Sequence, residues 1–425
     1  MNPVLPLLNL SLISWVAWRV YQKQPLDRKF IYWPALSVKI LAGIALGLLY
    51  FYHYRSGDTI SYWQDGVTLA NYFYGSPAAG LSFLSDETSV PVILNGLEQQ
   101  TPRSLFFVKI SGVLAIISGE NYWMMATWLS VISFAAAWHL VIRVATLLPD
   151  LRKAAVIAVL FFPSVVFWSS GLIKESLGLA SLYVLAAGGL GVIYRRRLSL
   201  TEVAWMVVAL WFGWNLKYYW IGILVPVLVP LLVVQGIVAL RPAWARFDWL
   251  VWVVLFAGFL IIATNLHPNF YASRFLEVIY HNNLDFTRLS DPPRLVQYLD
   301  LEDSPGSVLR NAPAALIAGL FRPFVWESFN GLSLAASLEN LVLLVLVLQA
   351  LPSLRRLPRS SSRVLMISMI VYVVLLVCFL ALSTPNFGTL SRYRIGALPA
   401  LVILCLNPFT ALGRRLAQTK GLGEG

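Results

Sequence analysis

Asp58, Tyr62 and Asp65 stand at i, i+4 and i+7 within Arg55-Ser-Gly-Asp-Thr-Ile-Ser-Tyr-Trp-Gln-Asp-Gly66, directly after an apolar run. On a helix this spacing puts two carboxylates and an aromatic ring on one face. A carboxylate where the chain leaves a membrane can act as a general base. It can equally cap a surface helix, and Asp58 stands where a helix through Tyr72 would begin. Cations gather at comparable places. Lys174 and Glu175 are adjacent between two apolar runs, and Lys217 lies in the short link Asn215-Leu-Lys-Tyr-Tyr219. Arg322 and Glu327 flank Phe-Val-Trp, and Ser391-Arg-Tyr-Arg394 opens the last run. Ionisable groups at membrane depth usually face the bundle interior or an aqueous cavity. The ordinary alternative is that Lys and Arg at span ends snorkel to headgroups. Arg392 and Arg394, two residues apart, point about 200° apart on a helix, so at least one should face inward. If they converge, Lys174, Lys217, Arg322, Arg392 and Arg394 would hold a phosphate or diphosphate, Arg as a fork and Lys as a point charge. Asp58 and Glu175 are then the candidate catalytic acids. Tyr62, Asp65 and Glu327 would support them, with Asp65 as the supporting or solvated end of the Asp58 face.

The elements that must position these groups are membrane helices. Only 12% of the 425 residues are charged and 58% are hydrophobic, with a mean hydropathy of +0.72. A soluble domain carries about 25% charge, so the chain reads as an all-α polytopic membrane protein. The formal charge of +12 then reports cytoplasmic loops and anionic lipid or phosphate partners, not nucleic acid. Apolar runs fall at roughly 4–20, 36–54, 121–143, 154–171, 175–193, 201–216, 219–240, 248–265, 330–350, 364–383 and 392–409. That predicts about eleven spans in a single membrane domain over 1–425.

Loop charge alternates along this series. Arg19/Lys23/Arg28/Lys29, Arg143/Arg152/Lys153, Arg195–Arg197, Arg241/Arg246, Arg355/Arg356/Arg359/Arg363 and Arg414/Arg415/Lys420 fall on one side, with Lys39 at a helix foot. That side holds 20 of the 32 basic residues and is read as cytoplasmic. The N-terminus is then outside and the C-terminus inside, in the cell's inner (plasma) membrane. The two long loops, 55–120 and 266–329, are outside. Each contains an apolar stretch too short or too polar to cross, 103–118 and 311–324, which would lie in the interface or dip back into protein. Asp291, Asp300, Glu302 and Asp303 read as a solvated acidic loop.

Several chemistries lack their signatures. Cys378 and Cys405 lie inside apolar runs, which argues against a disulfide framework or a thiolate metal site. The four His are scattered without HExxH, and no GxSxG, GxxxxGK[ST] or strand-borne GxGxxG occurs. No cofactor is required by the sequence; a divalent ion on the outer acids stays an alternative without ligand spacing to argue for it. Any donor must therefore carry its own activation. A sugar on a polyprenyl phosphate fits: the cations stabilise the departing phosphate while a carboxylate takes the proton of an acceptor hydroxyl.

The layout resembles the GT-C membrane glycosyltransferases that use polyprenyl-phosphate-linked sugars. In that family an acid follows the first core span, within a large outer loop bearing interfacial helices. Here 36–54 corresponds to the span, Asp58 to the acid, and 58–74 and 103–118 to the helices. Phe162-Pro-Ser-Val-Val-Phe-Trp-Ser-Ser-Gly-Leu-Ile-Lys-Glu-Ser176 is similar to a segment of bacterial GT-C-like proteins of polysaccharide pathways. Phe321-Arg-Pro-Phe-Val-Trp-Glu327 and Ser391-Arg-Tyr-Arg394 are similar as well. The resemblance covers about 36–410 and implies a GT-C-like helical bundle, Asp58 as base, Glu175 as a second outer acid, a polyprenyl-phosphate-linked sugar as donor, and a glycan or lipid acceptor. The second outer region is a loop, not a large outer domain, which favours a small or lipid-linked acceptor. Two other classes stay open: an O-antigen-type polymerase or ligase that relies on outer arginines, and a non-enzymatic lipid or glycan transporter, for which no internal repeat is found.

Overall fold

The computed structural model describes residues 4–266, 271–328, 330–356 and 361–418. Arg359, His267 and Lys420, used above in the charge and metal arguments, lie outside the described residues. Helices make up the fold, and the one β-bridge among the described residues joins Leu295 and Asn386. Among the described residues, eight helices are long and apolar enough to cross a membrane. The main elements are α1 (Val4–Gln22), α2 (Leu26–Leu48), α3 (Asp58–Gly75), α4 (Pro102–Ser118), α5 (Tyr122–Leu147), α6 (Pro163–Trp168), α7 (Lys174–Ile193), α8 (Leu200–Leu240), α9 (Asp248–Leu266), α10 (Pro305–Phe321), α11 (Gly331–Ala350), α12 (Ser361–Ser383), α13 (Phe387–Tyr393) and α14 (Leu398–Cys405).

Burial orders these helices. The apolar windows of α5 and α7 are 61% and 78% buried, against 17% for α1 and 11% for the Pro242–Asn265 helix. Helices with the same composition therefore divide into a core and a rim that keeps Leu7, Trp15 and Ile261 exposed, as a lipid-facing surface requires. α1 is held by one polar residue. Buried Asn9 donates to the Ile117 carbonyl (3.0 Å) and accepts from Trp128 Nε1 (2.7 Å), the side-chain bonding that joins helices where water is absent.

The 41 residues of α8 would span about 60 Å if straight, twice a bilayer core. The helix is instead interrupted at Lys217, whose φ of −141° and ψ of 61° are non-helical. Met206 packs on Gly188 and Leu228 on the adjacent Gly189. Twenty-two residues apart along a straight helix they would be separated by about 33 Å. The chain therefore folds back at Lys217, and both arms run beside α7, as the runs 201–216 and 219–240 lead one to expect.

Two expected spans take another form. The run 154–171 is a one-turn helix, a π-helical turn (Val156–Phe161) and then α6, broken at extended Phe162. Pro163 supplies no N–H and pushes Phe162 out of the helical region. The run 392–409 is split among α13, a 3-10 turn (Arg394–Gly396) and α14. Lys39 is likewise not at a helix foot. It is 5% exposed inside the bundle, where Nζ donates to Ser169 Oγ.

Both apolar loop stretches are helical and packed. α4 lies on α3 through Gly66 against Ser111 and Gly112 against Leu69, and α10 meets α12 where Gly319 faces Val377 and Ala381. Asp291, Asp300, Glu302 and Asp303 are exposed, as a solvated acidic loop requires.

Candidate active site

Asp58 is placed by a distorted junction. α2 ends in a π-helical turn, Leu49–Tyr54, then Arg55 adopts φ 57° and Gly57 φ 114°. A β-carbon at Gly57 would lie 2.8 Å from the Tyr50 ring, so both backbone sign and space demand glycine. Gly57, not Asp58, occupies the N-cap of α3. The Asp58 carboxylate is thereby free of a capping role, and its Oδ2 meets Arg392 Nη2 at 2.9 Å.

Glu175 is placed by a second turn. Gly171 has φ 77°, a β-carbon there would lie 3.3 Å from the Gly43 carbonyl oxygen, and α7 starts three residues later. In its first turn Glu175 Oε1 accepts from Lys217 Nζ at 2.7 Å and lies 3.1 Å from Arg392 Nε. The latter is an ion pair without hydrogen-bond alignment, since Nε has no aligned acceptor. Lys217 is delivered by the fold-back of α8, and its ammonium also lies 3.9 Å from the Tyr393 ring centroid. Arg392 is the hub: its Nη1 and Nη2 donate to Tyr50 Oη (3.5 Å) and Tyr393 Oη (3.4 Å). Trp220, fully buried, fixes this corner through Nε1 to the Tyr393 carbonyl at 3.1 Å.

The two acids are not equivalent. The Asp58 side chain is 38% exposed and that of Glu175 is 2% exposed. Asp58 can reach a substrate; Glu175 is enclosed between two cations. Lys174, the neighbour of Glu175, has no carboxylate in ion-pair range among the described residues. Its Nζ donates to Ser104 Oγ at 3.1 Å and lies 5.5 Å from the Tyr62 ring centroid. Tyr62 Oη is 3.3 Å from the same buried Ser104 oxygen. Arg103, next in sequence, is exposed and stacks 3.8 Å over Tyr218, the residue after Lys217.

Of the residues singled out in the sequence, Asp58, Glu175, Lys174, Lys217, Arg392 and Tyr62 come together. Asp65 does not join them and is not solvated. It is 3% exposed and accepts from the backbone N–H groups of Glu98 and Gln99, both at 2.9 Å. Burial raises its carboxyl pKa while those two bonds pull it down. Its role is to clamp the loop ahead of α4. Arg322 and Glu327 pair with each other (Nε to Oε1, 2.9 Å), and Glu327 also accepts from Phe324 N at 2.8 Å. Among the described residues neither forms an ion pair with the Arg392 cluster. Arg394 is 1% exposed and donates to the Gly319 (3.3 Å) and Leu320 (3.0 Å) carbonyls and to Asn340 Oδ1. It satisfies orphan carbonyls at the C-terminal end of α10. Thus both arginines of Ser391-Arg-Tyr-Arg394 point into protein, one to the cluster and one to a helix end.

Tyr50, Ser104, Arg103 and Tyr393 were not singled out from the sequence. Arg103 carried a signal, as one of the outer basic residues. Tyr393 stood between the two arginines. The others are ordinary residue types whose place depends on the junction geometry. A divalent ion finds no ready ligand set. No three His, Cys, Asp or Glu lie together among the described residues, and Arg392 contacts both site carboxylates. Comparison with protein-family models, curated proteins and solved structures gave no match.

Proposed function

We propose that the chain is a membrane glycosyltransferase of GT-C type that moves a sugar from a polyprenyl-phosphate donor to a glycan or lipid acceptor, on the outer face, in cell-envelope polysaccharide synthesis. The observation that carries this is the meeting of one accessible acid, Asp58, with Arg392, Lys217 and Lys174, drawn from segments more than 300 residues apart in sequence. The acceptor oxygen attacks the anomeric carbon. The bond from that carbon to the phosphate oxygen breaks, and its electron pair stays on the phosphate. The acceptor proton passes to the Asp58 carboxylate. The cations offset the charge that develops on the leaving phosphate. Arg392 fixes the orientation of Asp58, and Glu175 holds Arg392 and Lys217 in place, a positioning part in place of the catalytic one first given to it.

The test is transfer by the purified full-length protein in nanodiscs, using a panel of polyprenyl-phosphate-linked hexoses. Asp58→Asn should lose about 100-fold or more in rate, the usual worth of a positioned general base, while still binding polyprenyl phosphate. Unchanged transfer by this variant would remove the base role. The arginine hub also suits the polymerase or ligase reading, in which Arg392→Lys would abolish activity and Asp58→Asn would not.

A further inference from the structure

Four cations and two carboxylates make up the cluster and its margin, and they divide unevenly. Arg392 and Lys217 are offset by Asp58 and Glu175, two against two, at 2.7–3.1 Å. Lys174 and Arg103 have no carboxylate in ion-pair range among the described residues. They are also neighbours. Arg103 precedes Ser104, the residue to which Lys174 Nζ donates, and its guanidinium lies over Tyr218, which follows Lys217. Lys174 spends one N–H on Ser104. A guanidinium stacked on a ring keeps its in-plane N–H groups for an oxyanion. Ser104 is itself buried and holds Tyr62 and Thr101 Oγ1 (2.9 Å), so the pair rests on a fixed support.

We propose that Lys174 and Arg103 form a second anion subsite beside Arg392, and that the lipid donor is a diphosphate. This rests on the transferase reading and names its substrate class more narrowly. A sugar on a single phosphodiester brings one negative charge, which the offset Arg392–Lys217 pair and Lys174 can already accept. A diphosphate brings a charge on each phosphate, matching the excess of two cations. The sugar-side phosphate lies by Arg392 and the lipid-side phosphate on Lys174 and Arg103. The bond that breaks is still that between the anomeric carbon and the sugar-side phosphate oxygen. The leaving group is the lipid diphosphate, which keeps the electron pair, and the acceptor proton again goes to Asp58.

Binding of a polyprenyl-phosphate-linked hexose and of its diphosphate-linked counterpart to the full-length protein in nanodiscs tests this. Wild type should bind the diphosphate about tenfold tighter or more, the scale of one added charge-assisted contact. Arg103→Ala, at an exposed position where folding is not at stake, should remove most of that preference and leave monophosphate affinity within about twofold. Lys174→Gln should narrow the preference in the same direction. Equal affinity of wild type for both lipids would overturn the inference and leave the transferase reading standing, as would equal losses for both lipids in Arg103→Ala. Binding of neither lipid would overturn both.

Discussion

At the scale of single residues, the cluster separates acids that look alike in sequence. Glu175 is enclosed with Lys217, and removing one partner of a buried pair leaves the other charge stranded, at a cost of about 3–5 kcal/mol. Glu175→Gln is therefore expected to lower thermal stability in detergent strongly. Asp58→Asn, at a partly exposed side chain, is expected to change it little. The double variant Glu175→Gln/Lys217→Met should recover much of the stability, because both members of the pair go together, yet it should not recover transfer. A thermal shift of Asp58→Asn as large as that of Glu175→Gln would contradict this division. The same logic explains which candidate residues the sequence could sort. A charge in an apolar surround announces that the side chain has a partner, and Asp58, Glu175, Lys217 and Arg392 were legible on that basis. It does not say whether the partner is a substrate or a carbonyl. Arg394 on the end of α10, Arg322 with Glu327, and Asp65 on the loop before α4 carry the same signature and are spent inside the fold.

At the scale of elements, the site depends on places where helices fail. The π-helical turn and Gly57 deliver Asp58, Gly171 delivers Glu175, and the Lys217 fold-back delivers the ammonium. Hydropathy averages over windows of about twenty residues and passes over such breaks, which is why 154–171 and 392–409 read as continuous spans. The local signals in the first of these, Pro163 and Gly171, were present but are weak against an apolar background. The fold-back was legible because Asn215 to Tyr219 is a polar interruption of a run too long for one crossing. Gly57→Ala tests the dependence directly. It forces a side chain into a left-handed-side conformation, costing roughly 1–2 kcal/mol, and drives Cβ against Tyr50. Transfer should fall at least tenfold or so with Asp58 still present, and restoring space with Gly57→Ala/Tyr50→Leu should recover only the steric part. Wild-type rates in Gly57→Ala would show that the junction does not set the position of Asp58.

At the scale of the whole molecule, the two ends of α7 are chemically opposite. Twenty helical residues rise about 30 Å, one hydrocarbon thickness. One end begins with Lys174 and Glu175 in the cluster; beyond the other lie Arg195–Arg197, with Glu202 pairing Arg143 and Arg196. With Lys39 buried in the bundle, nineteen of the 32 basic residues fall to the second end by the alternation of loops; on the proposed reading, the positive-inside rule makes that end cytoplasmic and turns the cluster outward. The sense of this axis is read from charge summed over the chain, so the expectation does not depend on any single span. On that reading it also decides which donors can reach the site, since a carrier lipid reaches an outer-leaflet site where a cytosolic nucleotide sugar does not. Arg55 and Arg195 are exposed at opposite ends and serve as reporters. With Cys378 and Cys405 changed to Ala, Arg55→Cys should react with a membrane-impermeant maleimide on intact spheroplasts, and Arg195→Cys only after permeabilisation. The reverse pattern would put the cluster in the cytoplasm, where the argument for a carrier-lipid donor loses its footing and a soluble activated sugar becomes the substrate to test.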